Sequence, residues 1–383
     1  MGFQHANTEP LTMPLSFAEA HRLFRDNKLN QLSEDPGGKR YLKLRSLNRR
    51  EKLEGLFAAA GIEKPDVGSR DDLFKSAFEA NIPIRNVEAF IRDVYRMERA
   101  ARQARESDIL NQLYRVQEFN WGGLHQNSLE KTIVDNYVKK ITDYEMLCAC
   151  IENELLTSMR GYVICSWYNH WTSIIIEDIF KDHPNVLPAV GLVKKIDFFV
   201  KDVPFDLKVT YLPEQYLSDK RKEAGLRPEL TLLKQNARQN RLPIDGSLAE
   251  SALVQDLWVK VSDHPAPACK ALIAELTSFR NELVARIEAN PNELIRWLYE
   301  FQGERRFDAS NRLYLVLVDQ RNYFESWKLK RAKALMEEKI GKYLDECGNA
   351  PGRRIHFTWE GEQYSAVSDL VLVRQTPVEV RAV

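Results

Sequence analysis

Between residues 194 and 210 apolar and polar positions alternate twice, first through Ile196, Phe198 and Val200 and then through Phe205, Leu207 and Val209. Lys201-Asp-Val-Pro204 separates the two runs, and the pattern predicts a two-stranded hairpin with that tetrapeptide as its turn. Side chains of a strand repeat with period two. Asp206 and Lys208 therefore share one face of the second strand, opposite Phe205, Leu207 and Val209, and Asp197 takes the non-core face of the first. Two carboxylates and an ammonium converge on one side of an apolar hairpin. Burying such charges without partners costs on the order of several kcal/mol each, so the cluster asks for a ligand, and a divalent cation suits it.

Upstream, residues 166–180 carry the helical period. Asn169, Ser173 and Glu177 fall on one stripe, while Ile175, Ile176, Ile179 and Phe180 cover much of the remaining surface. Glu177, 20 residues before Asp197 in the sequence, is a fourth candidate for the site. Its neighbour Asp178 is expected to face solvent.

The same periodicities predict a helix over 16–30, with Ser16 as cap and Glu19 as its capping-box partner, broken by Ser33-Glu-Asp-Pro-Gly-Gly38. Helices over 71–80 and 87–105 flank the turn 81–86. They suit either a helix-turn-helix or a plain helical hairpin. Further helices are expected over 127–160, after a break at Trp121-Gly-Gly123, then over 248–261 and 267–300, the last interrupted by Pro291. Leu313–Val318 is an unbroken apolar run and reads as a buried strand. A Lys- and Arg-rich amphipathic helix over 324–345 and a terminal hairpin, 355–359 with 363–373, complete the chain. Residues 1–14 are read as a loose start.

Charge changes this picture locally. The 383 residues hold 55 basic and 55 acidic side chains, so no global charge demands nucleic acid. Residues 39–52, however, contain seven basic residues against one acid, among them Lys39, Arg40, Arg45, Arg49 and Arg50. Residues 220–241 hold seven more, beginning with Lys220, Arg221 and Lys222. Both runs fit a phosphate-contacting edge or a solvated helix face. Arg92, Arg96, Arg99, Arg102 and Arg105 form a third basic row, at helical spacing.

The five cysteines include a Cys148-x-Cys150 pair on an expected apolar helix, where cysteine reads as a small core residue, and no zinc spacing follows it. His170 and His183 have no serine or cysteine elbow to activate, and no glycine-rich phosphate cradle occurs. Without a signal segment or an apolar run of about 20 residues, a cytoplasmic protein with reduced thiols and no membrane contact is expected.

The order of helix Glu177, strand Asp197 and strand Asp206-Leu207-Lys208 resembles the PD-(D/E)xK nuclease superfamily, to which most type II restriction endonucleases belong. The likeness spans about residues 150–330, with Ile196 where the name-giving proline would stand and Asp206 in place of the commoner glutamate.

The resemblance implies an α+β protein: a helical region over 1–126, then, over 127–383, a restriction-endonuclease-like αβββαβ core with a helical insertion at 214–300 and a C-terminal helix and hairpin. Leu313–Val318 would be the fourth core strand. It implies Mg²⁺ held by Asp197, Asp206 and the carbonyl of Leu207, with Lys208 beside the attacking water and Glu177 orienting water or a second ion. The substrate would be double-stranded DNA, cut by a homodimer with one site per strand. Two other readings stand beside it: a non-catalytic DNA-binding or regulatory protein whose hairpin is purely structural, and a defence nuclease that a partner activates.

Overall fold

The computed structural model describes residues 13–119, 131, 133–193, 195–302, 311–348 and 351–376. The chain start to residue 12, the expected break at Trp121–Gly123 and Lys194 of the hairpin lie outside them.

Capping chemistry starts the first helix, α1 (Phe17–Arg25). The Ser16 hydroxyl accepts from the Glu19 amide, and the Glu19 carboxylate accepts from the Ser16 amide, closing the expected box. The helix ends earlier than its periodicity suggests, because Asn27 turns left-handed (φ 60°) and a short α2 (Leu29–Glu34) follows. The expected break over 33–38 holds only in its first half. Asp35 caps α3 (Pro36–Ser46), with Pro36 in its first turn, and Gly38 lies inside the helix where a Cβ would overlap the Leu32 carbonyl. The basic run is thereby divided between α3 and α4 (Arg50–Ala60). α5 (Arg70–Glu79) and the 30-residue α6 (Ile84–Leu113) complete the N-terminal helices.

After a π-helical turn (Val134–Val138), α7 (Tyr144–Cys150) and a second π turn (Ile151–Leu155) lead into α8 (Leu156–Lys181). The expectation that Cys148 and Cys150 sit in a core is corrected: α7 has no buried residue, and Tyr144, Met146, Leu156 and Val163 are exposed.

Strands β1 (Val186–Val193), β2 (Ile196–Val200) and β3 (Val203–Tyr211) form an antiparallel meander. The turn between β2 and β3 is tighter than expected. Only Lys201 and Asp202 lie outside the strands, both at positive φ (47° and 72°), as a two-residue hairpin matching strand twist requires. α9 (Glu214–Glu223), α10 (Glu229–Gln239), α11 (Glu250–Asp263), α12 (Pro267–Ala289) and α13 (Asn292–Phe301) fill the interval before β4 (Arg312–Asp319). The expected single helix over 324–345 is a 3₁₀ segment (Tyr323–Arg331) followed by α14 (Lys333–Glu346). The hairpin β5 (Arg353–Trp359) and β6 (Glu362–Gln375) closes the chain.

The result is a mixed α+β molecule with a six-stranded sheet in the order β1-β2-β3-β4-β6-β5. β3 pairs parallel with β4, and β4 parallel with β6. Helices cover both faces, which is why β4 is buried along its whole length. Leu207, Leu313, Leu315, Leu317 and Val371 pack against Ile176 and Phe180 of α8 and Met336 and Ile340 of α14. On the opposite face Tyr314, Val316, Val318 and Leu370 meet Leu283 of α12 and Leu294 and Leu298 of α13.

The N-terminal helices do not stand apart. Leu42, Leu44 and Ile91 share one core with Leu187, Val190, Ile196 and Phe199 of the sheet. Ile196 therefore leaves the face of Phe198 and Val200, on which simple alternation had put it, at a point where the β1–β2 register shifts. Close approach of α3 to β1 depends on Gly191, whose absent Cβ leaves room for the Ser46 carbonyl. Gly191→Ala is expected to destabilise the protein by about 1–3 kcal/mol through overpacking. Denaturant unfolding checks this, and an unchanged midpoint would argue against the tight seam.

A candidate carboxylate-lysine site where two strands part

β2 and β3 pair through Phe198–Phe205, Phe199–Pro204 and Val200–Val203, and continuing that register sets Asp197 across from Asp206. Here the strands separate. From Asp206 onward β3 pairs instead with β4, starting at Asp206–Arg312, and the Asp206 amide donates to the Asn311 carbonyl at 2.9 Å. The Leu207 amide points back toward β2 and is taken by a side chain: Asp197 Oδ2 accepts it at 2.7 Å. Period two keeps Asp206 and Lys208 on one face of β3, and Asp197 reaches them through the Leu207 amide between the two.

The three differ in exposure. The Asp206 side chain is 7% exposed and that of Lys208 42%, and Lys208 Nζ donates to Asp206 Oδ1 at 2.7 Å. Asp206 Oδ2 is buried and accepts no hydrogen bond; Arg312 Nε lies 3.9 Å away. Asp197 is largely buried, and burial first, then the nearby charge of Glu177, raises its carboxyl to about 6. The negative charge of Asp206 pushes the same way, while the Leu207 amide and Lys181 act against it.

Glu177 reaches this neighbourhood from α8 and is tied to Lys181, one turn on, at 2.7 Å. An open cleft between α6, α8 and β1 has Arg49, Tyr95, Glu177, Lys181 and Asp197 in its wall. Asn169 of the α8 stripe is turned elsewhere: its Oδ1 accepts from the buried Lys330, 2.7 Å away.

Asp178 corrects the expectation of a solvent-facing side chain. It is buried and accepts from Arg102 at 2.7 Å and from the Tyr95 hydroxyl at 3.2 Å. Arg99 reaches Asp182 at 3.0 Å, and Arg92 donates to the carbonyls of Val186 and Pro184. The arginine row of α6 is mostly a clamp on the end of α8 and the start of β1.

The basic runs also turn largely inward. Arg40 donates to the carbonyls of Ala77, Phe78, Ala80 and Ile82, closing the end of α5. Arg45 lies over the rings of Phe24 and Phe74. Arg50 pairs with Glu54 and donates to the Val67 and Gly68 carbonyls. Arg221 is fully buried, bound to Glu275 and the Arg227 carbonyl, and Lys220 pairs with Glu223 and Glu293. Arg40, Arg50, Arg221 and Lys220 already use their donors within the fold, whereas Arg45 is stacked and its N–H groups make no hydrogen bond among the described residues. Lys39 is half-buried, Lys222 exposed with Asp219 3.8 Å away, and Arg49 exposed at the edge of the Asp197 cleft.

Arg312, one residue before the strand expected from Leu313, is a further member of this neighbourhood that the sequence pattern leaves out. The available signal was a charged residue abutting a buried apolar run. Among the described residues no three His, Cys, Asp or Glu side chains form a group that could hold a metal ion. Mg²⁺ needs fewer protein ligands, since it keeps several waters and is held by one or two carboxylates. Asp206 Oδ2, buried, without a hydrogen bond and 3.9 Å from Arg312 Nε, and the raised Asp197 carboxyl are the two places where a cation could be held. No protein-family model, curated protein or solved structure matches the chain. Among the described residues no helix is long and apolar enough to cross a membrane.

Proposed function

We propose that the chain is a metal-dependent nuclease that hydrolyses phosphodiester bonds of double-stranded DNA on a restriction-endonuclease-like core. The observation that carries this reading is the meeting of Asp197, bonded to the Leu207 amide, with the Asp206–Lys208 pair where β2 and β3 part. The strand order, an antiparallel meander followed by a parallel β4, supports the same core, with α8 ahead of it and the helices α9–α13 as the insertion.

Asp197 and Asp206 would hold Mg²⁺ with the Leu207 carbonyl. When bound, the ion supplies Lewis acidity at the phosphate and a more acidic water. Lys208 is exposed enough for its ammonium to turn from Asp206 to a phosphate oxygen, where it offsets charge developing in the transition state. Glu177, on the cleft wall, is available to hold a water against Asp197. Arg49, exposed on the same wall, is the basic residue best situated for a phosphate neighbouring the scissile one. A homodimer would supply one site to each strand of a duplex.

A second reading has an observation of its own. Asp206 already pairs with Lys208, and Arg312 is near, as in a purely structural hairpin. Conversion of supercoiled plasmid with and without Mg²⁺ separates the two. The nuclease reading expects nicking that EDTA stops and that Asp206→Ala and Lys208→Ala each slow by about 10³-fold or more, about 4 kcal/mol in barrier, with DNA binding retained. The structural reading expects no nicking by the wild type and an Asp206→Ala protein destabilised by roughly 3–5 kcal/mol. A folded Asp206→Ala variant that cleaves at the wild-type rate would falsify the assignment.

A further inference from the structure

A second cavity lies away from the carboxylates. It opens between the elbow joining α1 to α2, helix α3 and the tight connection from β1 to β2, and has a volume of about 390 Å³, within the range of small-ligand sites, roughly 300–1,000 Å³. Its wall carries His21, Arg25, Arg45 and Lys195, and among the described residues no carboxylate lines it. Phe24 and Leu29 contribute an apolar side.

The chemistry of the two arginines singles this cavity out. Neither the Arg25 nor the Arg45 side chain makes a hydrogen bond or ion pair among the described residues. Arg40, Arg92, Arg99, Arg102 and Arg221 all have such partners. Arg45 is held over Phe24, 5.1 Å from the ring centroid, and over Phe74 at 5.7 Å. Stacking fixes the plane of a guanidinium while its N–H groups, which lie in that plane, remain available. Lys195 Nζ donates to Asn27 Oδ1 at 2.5 Å, joining the β1–β2 connection to the α1–α2 elbow across the cavity. Arg25 and Arg45, two permanent cations on one concave wall with no carboxylate among its described residues, repel one another, and an anion that enters relieves both at once.

We propose that this cavity binds a small phosphorylated ligand of the nucleoside diphosphate class, its phosphates on Arg25 and Arg45 and its ring system on the apolar side at Phe24 and Leu29. Guanidinium forks match phosphate oxygens in pairs, which favours a phosphate over a carboxylate or a halide. The volume fits a nucleotide and excludes a duplex. The site is separate from the carboxylates and stands whether or not the chain is a nuclease. Lys195 precedes Asp197 by two residues, so the ligand would sit against the strand that carries the catalytic candidate.

Isothermal titration of the full chain with adenosine diphosphate, inorganic pyrophosphate and adenosine tests the proposal. Saturable binding of the diphosphate, weaker binding of pyrophosphate and none of adenosine are expected. Arg25→Gln and Arg45→Gln are each expected to weaken the diphosphate by about tenfold or more, the loss of one charge-assisted pair, whereas Lys222→Gln leaves it unchanged. Arg25 is exposed at the end of α1, so its variant keeps the measurement interpretable if Arg45→Gln fails to fold. Absence of saturable heat with both phosphates at millimolar concentration overturns the proposal. So does diphosphate binding that Arg25→Gln leaves intact, or a 5′-phosphorylated oligonucleotide that binds this site in preference to the diphosphate.

Discussion

Replacing Asp197 by Asn is expected to make the protein more stable at pH 7 and to abolish cleavage. The Asp197 carboxyl titrates at about 6 in the folded chain, against 3.8 as its ordinary value, because burial and then the charge of Glu177 oppose its ionisation. Folded protein therefore binds more protons than unfolded protein between about pH 4 and pH 6. Stability falls as pH rises through that window, and the full cost, about 3 kcal/mol from the size of the shift, is present above it. Asparagine has nearly the same shape and keeps an oxygen for the Leu207 amide, so about 2–3 kcal/mol should be regained at pH 7. On the proposed nuclease reading it also removes an anionic ligand, and with it the activity. Denaturant unfolding at pH 4, 5, 6 and 7 checks the first part: the wild type should lose stability across the series and the variant should not. Millimolar Mg²⁺ should raise the wild-type midpoint at pH 7 and leave the variant's in place. A variant less stable than wild type at pH 7 would contradict the strained-carboxylate account.

Expressing residues 127–383 alone is expected to give an insoluble or unfolded product. Leu187, Val190, Val193, Ile196 and Phe199 have the N-terminal helices as their apolar partners. At about 25 cal/mol per Å² of apolar area, uncovering such a row removes more stabilisation than a domain's net 5–15 kcal/mol. Lys43 adds a charged rivet: it is buried and reaches both Glu88 of α6 and Asp202 at the hairpin tip, each at 2.5 Å. Circular dichroism and sedimentation of the fragment decide the matter. A folded, monomeric fragment would mean that the helices form a separable module, as the division at 126/127 supposed.

Local signals were the legible ones. The Ser16–Glu19 box, the alternation through 196–209, and the apolar run of β4 each depend on neighbours within a few residues, and each leads to the element observed. The Asp206–Lys208 pair was legible for the same reason, since one periodicity sets both on one face of β3, whereas the contact of Asp197 with the Leu207 amide depends on where β2 and β3 part. What a charged residue meets across the fold was not. Arg40, Arg221 and Asp178 look like surface groups by residue type and spacing, yet each is enclosed by partners from 50 or more residues away or from an adjoining helix end. Basic composition cannot distinguish a guanidinium that closes a helix end, as Arg40 does, from one left on a cavity wall without a hydrogen bond among the described residues, as Arg25 is. Pairing of the terminal hairpin with β4 was likewise out of reach, because β6 meets β4 in parallel across more than 50 residues of intervening chain.

The Leu207 amide has a carboxylate for its acceptor where a strand would ordinarily offer a carbonyl. Its proton is thus a built-in indicator. The nitrogen and proton resonances of that one amide should titrate with a midpoint near pH 6, following Asp197 itself, while neighbouring amides bonded to carbonyls stay still. Adding Mg²⁺ at pH 5 should drive the same signal toward its high-pH position, so ion occupancy can be read in the resting protein, without substrate and without turnover.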